Sequence, residues 1–283
     1  MPEWNELARG FYLEGLLVDG DDIWFTDVTR GGVHNLRSGQ TVLPERTMVG
    51  GLLLNHDGKL LVAGSGGVDW VDPVSGASGT LLTVEDGVNE MRSDGQGGLL
   101  FGTIDLPAIL EGRKPGPSSI RHLAIDGTMT VLADGLAFAN GLSLSPDGQA
   151  LYFNESFAAS RRFPVGPDFA LGNMQTLREM YDCDGMALDV DGNIWLCGFA
   201  SDYLVCVTPQ GEELERLQLP GPACTNVRFG GRDMRDLFVT VVDPADAQKL
   251  AEGAPITAQN SALYTSRAPV AGTRIEHTLF RLG

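Results

Sequence analysis

A turn-and-strand motif that recurs six times constrains the fold more than any other feature of the chain. Each copy has an Asp-containing turn, usually Asp-Gly, followed by a short run of leucine, β-branched or aromatic residues. The runs start 37, 39, 52, 43 and 43 residues apart, at Ile23, Leu60, Leu99, Leu151, Ile194 and Leu237. Asp-Gly suits the positive φ of a tight hairpin turn, and the residues after it suit a half-buried strand. We therefore expect each copy to contain a β-hairpin.

The repeat length indicates how the hairpins are organised. Each interval has room for about four short strands, which is the size of a propeller blade. Because a four-stranded sheet cannot bury both of its faces alone, six such sheets are expected to stack around an axis. The sequence thus predicts an all-β six-bladed β-propeller with four-stranded antiparallel blades, with residues 1–283 as a single domain. A β-sandwich or barrel with repetitive turns is the alternative.

Composition and charge exclude several classes of partner and location. The formal net charge of −17 repels phosphate backbones and anionic lipids, so neither nucleic acid nor a membrane is an expected partner. No apolar run approaches the ~18 residues of a membrane span, and the acidic N-terminus, residues 1–6, does not resemble a secretory signal. The four cysteines form no Cys-x-x-Cys pair and are expected to be free thiols. These features predict a cytoplasmic protein; no feature indicates an oligomeric state.

A polar residue precedes five of the six hairpins by 9 to 11 residues. These residues all carry a side-chain oxygen and are Glu14, Asn89, Asn140, Asp184 and Asn226. Since the innermost strands of a propeller line its channel, residues at matched positions form a ring around the axis. The second repeat has Gly50-Gly51 at this position, which is expected to leave space. The spacing predicts that the five side chains converge at one level of the channel.

Two carboxylates in a partly desolvated channel require a cation nearby, because buried charge is stable only when it is paired or binds a metal. Oxygen ligands favour calcium, magnesium or manganese, although zinc and ferrous iron also accept carboxylates. We expect one divalent metal ion, with calcium first among these. A Ser-His-Asp hydrolase is disfavoured because the chain has no Gly-x-Ser-x-Gly motif and its histidines lie away from the polar ring.

Four segments carry a resemblance to a known family. They are Glu14-Gly15, the run from Asn140-Gly141-Leu142 to Asp147-Gly148, the run from Asp184-Gly185-Met186 to Ile194-Trp195, and Phe229-Gly230-Gly231. Over nearly its full length the chain resembles the senescence marker protein/gluconolactonase/luciferin-regenerating enzyme family of six-bladed propellers. The resemblance implies that Glu14, Asn140 and Asp184 bind one divalent metal, and that Asn89-Glu90 correspond to a family Asn-Asp pair beside the substrate.

Two departures from the family pattern bear on the substrate and on loop stiffness. The family often has Arg, a contact for sugar hydroxyls, two residues before the third-blade Asn, and this chain has Gly87 there. A polyol substrate is therefore less expected than a smaller or less hydroxylated ring. The family often has Glu-Gly-Pro, and this chain has Leu16 in place of the proline.

The predicted function is a metal-dependent hydrolase that opens a small lactone, a sugar lactone or related ester, with metal-activated water. Asp184 is the expected general base, and Asn89, Glu90 and Asn226 are the expected substrate contacts. Loop 104–120 is expected at the channel mouth, and three aromatic residues could wall the pocket: Phe138, Phe157 and Phe199. The alternatives are a metal-dependent hydrolase or lyase acting on another small carbonyl compound, ester or organophosphate, and a non-catalytic calcium-binding or ligand-binding propeller.

Overall fold

The chain folds into six four-stranded antiparallel sheets arranged in a ring. The computed structural model describes residues 3–283, so Met1 and Pro2 of the acidic N-terminus lie outside it. The innermost strand of each sheet contacts the innermost strand of the next, and that of the sixth contacts that of the first. The prediction of a six-bladed β-propeller is therefore confirmed. Each of the six hairpin markers lies in the second strand of its blade.

The first three blades follow one another along the chain. Blade 1 consists of β2 (Leu13–Asp19), β3 (Asp22–Asp27), β4 (Val33–Asn35) and β5 (Thr41–Val42). Blade 2 consists of β6 (Val49–Leu54), β7 (Leu60–Gly64), β8 (Gly67–Val71) and β9 (Ser78–Thr83). Blade 3 consists of β10 (Val88–Ser93), β11 (Leu99–Thr103), β12 (Ser118–Leu123) and β13 (Met129–Leu136).

The last three blades include the strand that closes the ring. Blade 4 consists of β14 (Ala139–Leu144), β15 (Ala150–Glu155), β16 (Ala159–Pro164) and β17 (Gln175–Arg178), with a 3₁₀ turn at Pro167–Phe169. Blade 5 consists of β18 (Cys183–Leu188), β19 (Ile194–Gly198), β20 (Tyr203–Val207) and β21 (Glu213–Gln218). Blade 6 consists of β22 (Ala223–Gly230), β23 (Asp236–Val242), β24 (Ser261–Arg267) and the N-terminal β1 (Asn5–Gly10).

Both chain ends stabilise the ring. Strand β1 pairs antiparallel with β24, so the N-terminus supplies the outermost strand of the last blade. The C-terminal tail crosses the end of the channel formed by the hairpin turns, where Thr278 bridges to Asn55. The Asn55 side chain is fully buried and exchanges hydrogen bonds with the backbone N–H and carbonyl of Phe280. Satisfying both groups of this amide fixes the tail against blade 2.

Hydrophobic contact between neighbouring blades forms the core. The interface of blades 5 and 6 is typical: Trp195 packs edge-to-face on Phe229 with ring centroids 5.8 Å apart. The indole N–H of Trp195 donates to the carboxylate of Asp189, so the buried ring leaves no polar atom unpaired. The cysteines are free and buried, in agreement with the expectation from their spacing: Cys183, Cys197, Cys206 and Cys224.

Two short helices, α1 (Leu106–Leu110) and α2 (Pro244–Ala251), lie at the other end of the channel and contact each other. Each is inserted between the second and third strands of its blade, and each begins at an aspartate whose side chain accepts a backbone N–H, Asp105 or Asp243. Residues 111–117, within the loop expected at the channel mouth, are mostly exposed. No helix within residues 3–283 is long and apolar enough to cross a membrane.

Candidate active site

A β-bulge interrupts the innermost strand of every blade at the equivalent place. In five blades two consecutive residues of the innermost strand are left out of the pairing with the second strand, and in blade 6 one residue is left out. The first skipped residue is Glu14, Asn89, Asn140 or Asp184 in four of these strands, and all four residues line one cavity at the helix-covered end of the channel. A bulge re-aims a side chain that regular pleating would direct elsewhere. The repeated bulge thus brings polar side chains from blades 1, 3, 4 and 5 to one place.

Glycine follows three of these residues because neighbouring blades approach closely there. A Cβ on Gly141 would collide with the carbonyl oxygen of Asp184, and one on Gly15 with that of Gly50. Gly50 and Gly51 in blade 2 are tightly packed in the same way, against Asn89 and Glu90 of blade 3. Gly50 nevertheless lines the cavity, so the blade-2 position is open toward the cavity and closed toward blade 3.

The cavity above the four polar residues has a volume of about 390 Å³, within the size range of small-molecule sites. The two helices and the bulge-flanking residues supply its walls. Phe138, Phe157 and Phe199 all line it, as expected for pocket-wall residues, and loop 104–120 contributes through α1 and Pro115.

Ionisation of the two carboxylates of the cavity is unfavourable in the surroundings that the protein side chains provide. Burial, followed by the negative charge of Glu90, raises the pKa of Glu14 from 4.5 to about 8. Burial, followed by the negative charge of Glu14, raises the pKa of Asp184 well above its usual range. Asp184 is 4% exposed, and its Oδ1 has no hydrogen-bond partner. A cation close to both carboxylates would offset the unfavourable free energy of ionising them.

The amide of Asn140 is held by a chain of two hydrogen bonds. Its Nδ2 donates to the hydroxyl of Ser156 at 3.3 Å, and that hydroxyl donates to the carbonyl of Cys183 at 2.6 Å. With its N–H group directed at Ser156, the amide keeps its oxygen as the atom free to bind a cation. Within residues 3–283 no three His, Cys, Asp or Glu side chains cluster as a metal site, so an ion held by Glu14 and Asp184 would need further ligands of another kind. Two carboxylates and amide oxygens fit a hard divalent ion.

Glu90 and Asn226 do not line the cavity. Asn226 pairs with Thr240 one position beyond the bulge, so Thr225 and not Asn226 occupies the ring position in blade 6. The sequence predicted that Asn226 would lie at the same level of the channel as the other four residues, and this is wrong. The hairpin of blade 6 is longer than the others, so counting residues back from its second strand does not give the position in the strand ladder. Because neither side chain reaches the cavity, its geometry gives no support to the direct substrate contact expected for them.

A buried column of charged and amide groups descends from Glu14 along the channel. Asn226 Nδ2 lies 3.5 Å from Glu14 Oε2 and 3.3 Å from Glu90 Oε2. Arg228 then donates to Glu90 Oε2 at 3.0 Å and to Asn226 Oδ1 at 2.6 Å. Burial, followed by the positive charge of Arg228, lowers the pKa of the neighbouring Arg92 to about 9. Asn226 therefore supports Glu14 from below, and Glu90 and Arg228 fix the position of Asn226.

Sequence reasoning missed Tyr12, Ser156 and the wall residues of both helices. Burial, followed by the negative charges of Asp184 and Glu14, raises the pKa of Tyr12 well above its usual range, so this cavity residue keeps its proton. The helices had a signal, an aspartate followed within two residues by proline, that predicts a helix start. No histidine lines the cavity within the described chain, as the sequence predicted.

The sequence matches the SMP-30/Gluconolactonase/LRE-like region over residues 13–243, most of the propeller and all of the cavity-lining bulges. The chain belongs to this family. A 6-deoxy-6-sulfogluconolactonase of Pseudomonas putida is 29% identical over 234 residues, covering 77% of this chain and 78% of that protein. A pentonolactonase of Haloferax volcanii is 26% identical over 234 residues, covering 78% of each chain.

A solved structure supports the same fold. The calcium-binding protein regucalcin from Agrobacterium tumefaciens has a TM-score of 0.78 and 22% sequence identity, covering 99% of this chain and 98% of that one. Gly87 lies beside helix α1, which covers the cavity. Its φ is +101°, and the side chain of Leu106 from α1 lies against the position of a Cβ. A side chain at this position would therefore require the Leu106 side chain to move.

Proposed function

We propose that this chain is a metal-dependent hydrolase that opens a small lactone. The observation that carries the proposal is a pair of carboxylates, half-buried Glu14 and buried Asp184, which lack a basic partner within the cavity that they line. The match to the SMP-30/gluconolactonase family and the two lactonases among its relatives support the reaction class. A carboxylic ester such as a lactone carries no charge that would repel this acidic site.

Glu14, Asn140 and Asp184 are the proposed ligands of one divalent ion, with calcium first because the donors are all oxygens. Such an ion supplies Lewis acidity toward the ester carbonyl and increases the acidity of water. The partnerless Oδ1 of Asp184 accepts the proton of the attacking water. Water oxygen bonds to the acyl carbon, the ring C–O bond breaks, and the proton returns to the leaving alkoxide.

The remaining residues position these groups. Asn89 lines the cavity, where its amide orients the substrate without adding charge. Glu90 and Asn226 act indirectly: they hold the carboxylate of Glu14 through the buried column. The apolar walls exclude bulk water, which strengthens electrostatic interactions at the reacting carbonyl.

The test is proton release from a lactone panel by protein that has been stripped with a chelator and reloaded with calcium, magnesium, manganese, zinc or ferrous iron. Activity should require reloading and should fall by about 10²-fold or more in Asp184→Asn. Asp191→Asn is the matched control, because Asp191 is exposed in the hairpin turn of the same blade. Activity that survives both chelation and Asp184→Asn would refute the proposal. Ion binding without hydrolysis of any lactone would favour the non-catalytic alternative.

A further inference from the structure

We infer that the lactone opened at this site carries an apolar substituent, an alkyl or aryl group, and not the hydroxyls of a sugar. This inference rests on the proposed function and adds the class of substrate. The observation behind it is the separation of polar and apolar groups in the cavity. The polar ring lies at the floor, and the wall above it consists mainly of Val28, Met48, Ile104, Leu106, Ile109 and Leu250.

Of the three polar side chains of the wall, Ser156 and Gln248 already donate hydrogen bonds within the chain, and Tyr12 is the exception. The hydroxyl of Ser156 donates to the carbonyl of Cys183, and the amide of Gln248 donates to Glu252. No arginine or lysine lines the cavity in the described part of the chain. Apart from one bond to the Tyr12 hydroxyl, the several hydroxyl groups of a bound sugar would lose water at this wall without gaining hydrogen bonds, which is unfavourable. An alkyl or aryl group gains free energy from the same transfer.

The cavity mouth exposes aromatic surface that an apolar ligand would cover. Phe157 is 47% exposed, and its ring centroid lies 5.5 to 5.9 Å from those of Phe138, Tyr181 and Phe199. Its φ of 69° is uncommon for a residue other than glycine, and its N–H donates to the carbonyl of Tyr181. Backbone strain held at a pocket mouth is typical of functional positions. The ring of Phe157 is therefore fixed at the entrance, next to the apolar wall.

The first experiment compares lactones that share a six-membered ring: δ-valerolactone, δ-hexalactone, δ-octalactone, δ-decalactone and glucono-1,5-lactone. Each methylene that enters the cavity should raise kcat/KM about fourfold until the chain reaches the wall. Glucono-1,5-lactone should be opened less efficiently than δ-octalactone. If kcat/KM is flat with chain length, or is highest for glucono-1,5-lactone, the inference is overturned and the proposed function stands.

A substitution at Phe157 tests whether the preference for longer alkyl chains arises in this cavity. Phe157→Asn suits the positive φ and removes the aromatic ring, so the protein should fold. It should lower the ratio of kcat/KM for δ-decalactone to that for δ-valerolactone about tenfold. Leu214→Asn is the control, because Leu214 is also an exposed apolar residue, 55% exposed, but lies on the outermost strand of blade 5. An unchanged ratio in Phe157→Asn would contradict the assigned binding wall.

A binding measurement separates failure of the inference from failure of the proposed function. Cyclohexanone and 2-pentylcyclohexanone resemble the δ-lactones but cannot be hydrolysed. Calorimetric titration should show that the pentyl compound binds at least about a hundredfold more tightly, and that Phe157→Asn reduces the difference. If no lactone is opened, the proposed function fails. If the two ketones also bind equally, the inference fails with it.

Discussion

Replacing Glu14 by glutamine tests the electrostatic cost of the metal-free site. The pKa of Glu14 is raised to about 8, mainly by burial, so the folded chain binds this proton more tightly than the unfolded chain does. The folded state therefore loses stability as the pH rises from about 4.5 to about 8, by up to about 1.4 kcal/mol per pH unit. At pH 7 the cost is at most about 3 kcal/mol, because Glu14 is partly open to the cavity.

Glu14→Gln removes this titration and keeps an oxygen that can accept from Asn226. In the presence of a chelator the variant should be more stable than the wild type at pH 7, and the difference should grow between pH 5 and pH 8. The assay is urea unfolding followed by tryptophan fluorescence at several pH values. Glu45→Gln is the control, because Glu45 is exposed and should give no such growing difference. A Glu14→Gln variant no more stable than the wild type at pH 7 would refute the reasoning.

Three further substitutions test the framework around the site by urea unfolding, thermal melting or proteolysis. Arg228→Met leaves Glu90 buried without its partner and should destabilise the chain by about 3 kcal/mol, and adding Glu90→Gln should recover part of the loss. Gly141→Ala should cost about 1–3 kcal/mol and weaken ion binding, since its Cβ meets the Asp184 carbonyl. Asn55→Ala should release the C-terminal tail to proteases at a cost of about 1–3 kcal/mol, whereas equal protease resistance would contradict the anchoring role.

The blades could be predicted from the sequence because each depends on a local signal. An Asp-Gly turn and the strand after it lie within about ten residues, and six copies at similar spacing leave few folds that fit. No local sequence pattern predicts how the ring of blades closes. Strand β1 pairs with β24 across almost the whole chain, at Asn5 with Thr265, and only the completed ring brings them together.

The site residues could be predicted from the sequence in those blades where counting residues back from the second strand gives the correct position in the strand ladder. Glu14, Asn89, Asn140 and Asp184 line one cavity because their hairpins have similar lengths. Asn226 was placed wrongly because the longer hairpin of blade 6 shifts its register by one residue. The cavity wall depends on how α1 and α2 pack over the channel mouth, which is a tertiary arrangement that no local pattern of the sequence describes.

Calorimetric titration of calcium into chelator-stripped protein tests the central claim, that side chains from separate blades share one ion. The wild type should bind one calcium per chain. Asp184→Asn, Glu14→Gln and Asn140→Ala should each weaken binding by about tenfold or more, whereas Asp191→Asn should bind as the wild type does. If neither calcium nor another divalent ion binds, or if binding is unchanged in all three variants, the account is contradicted.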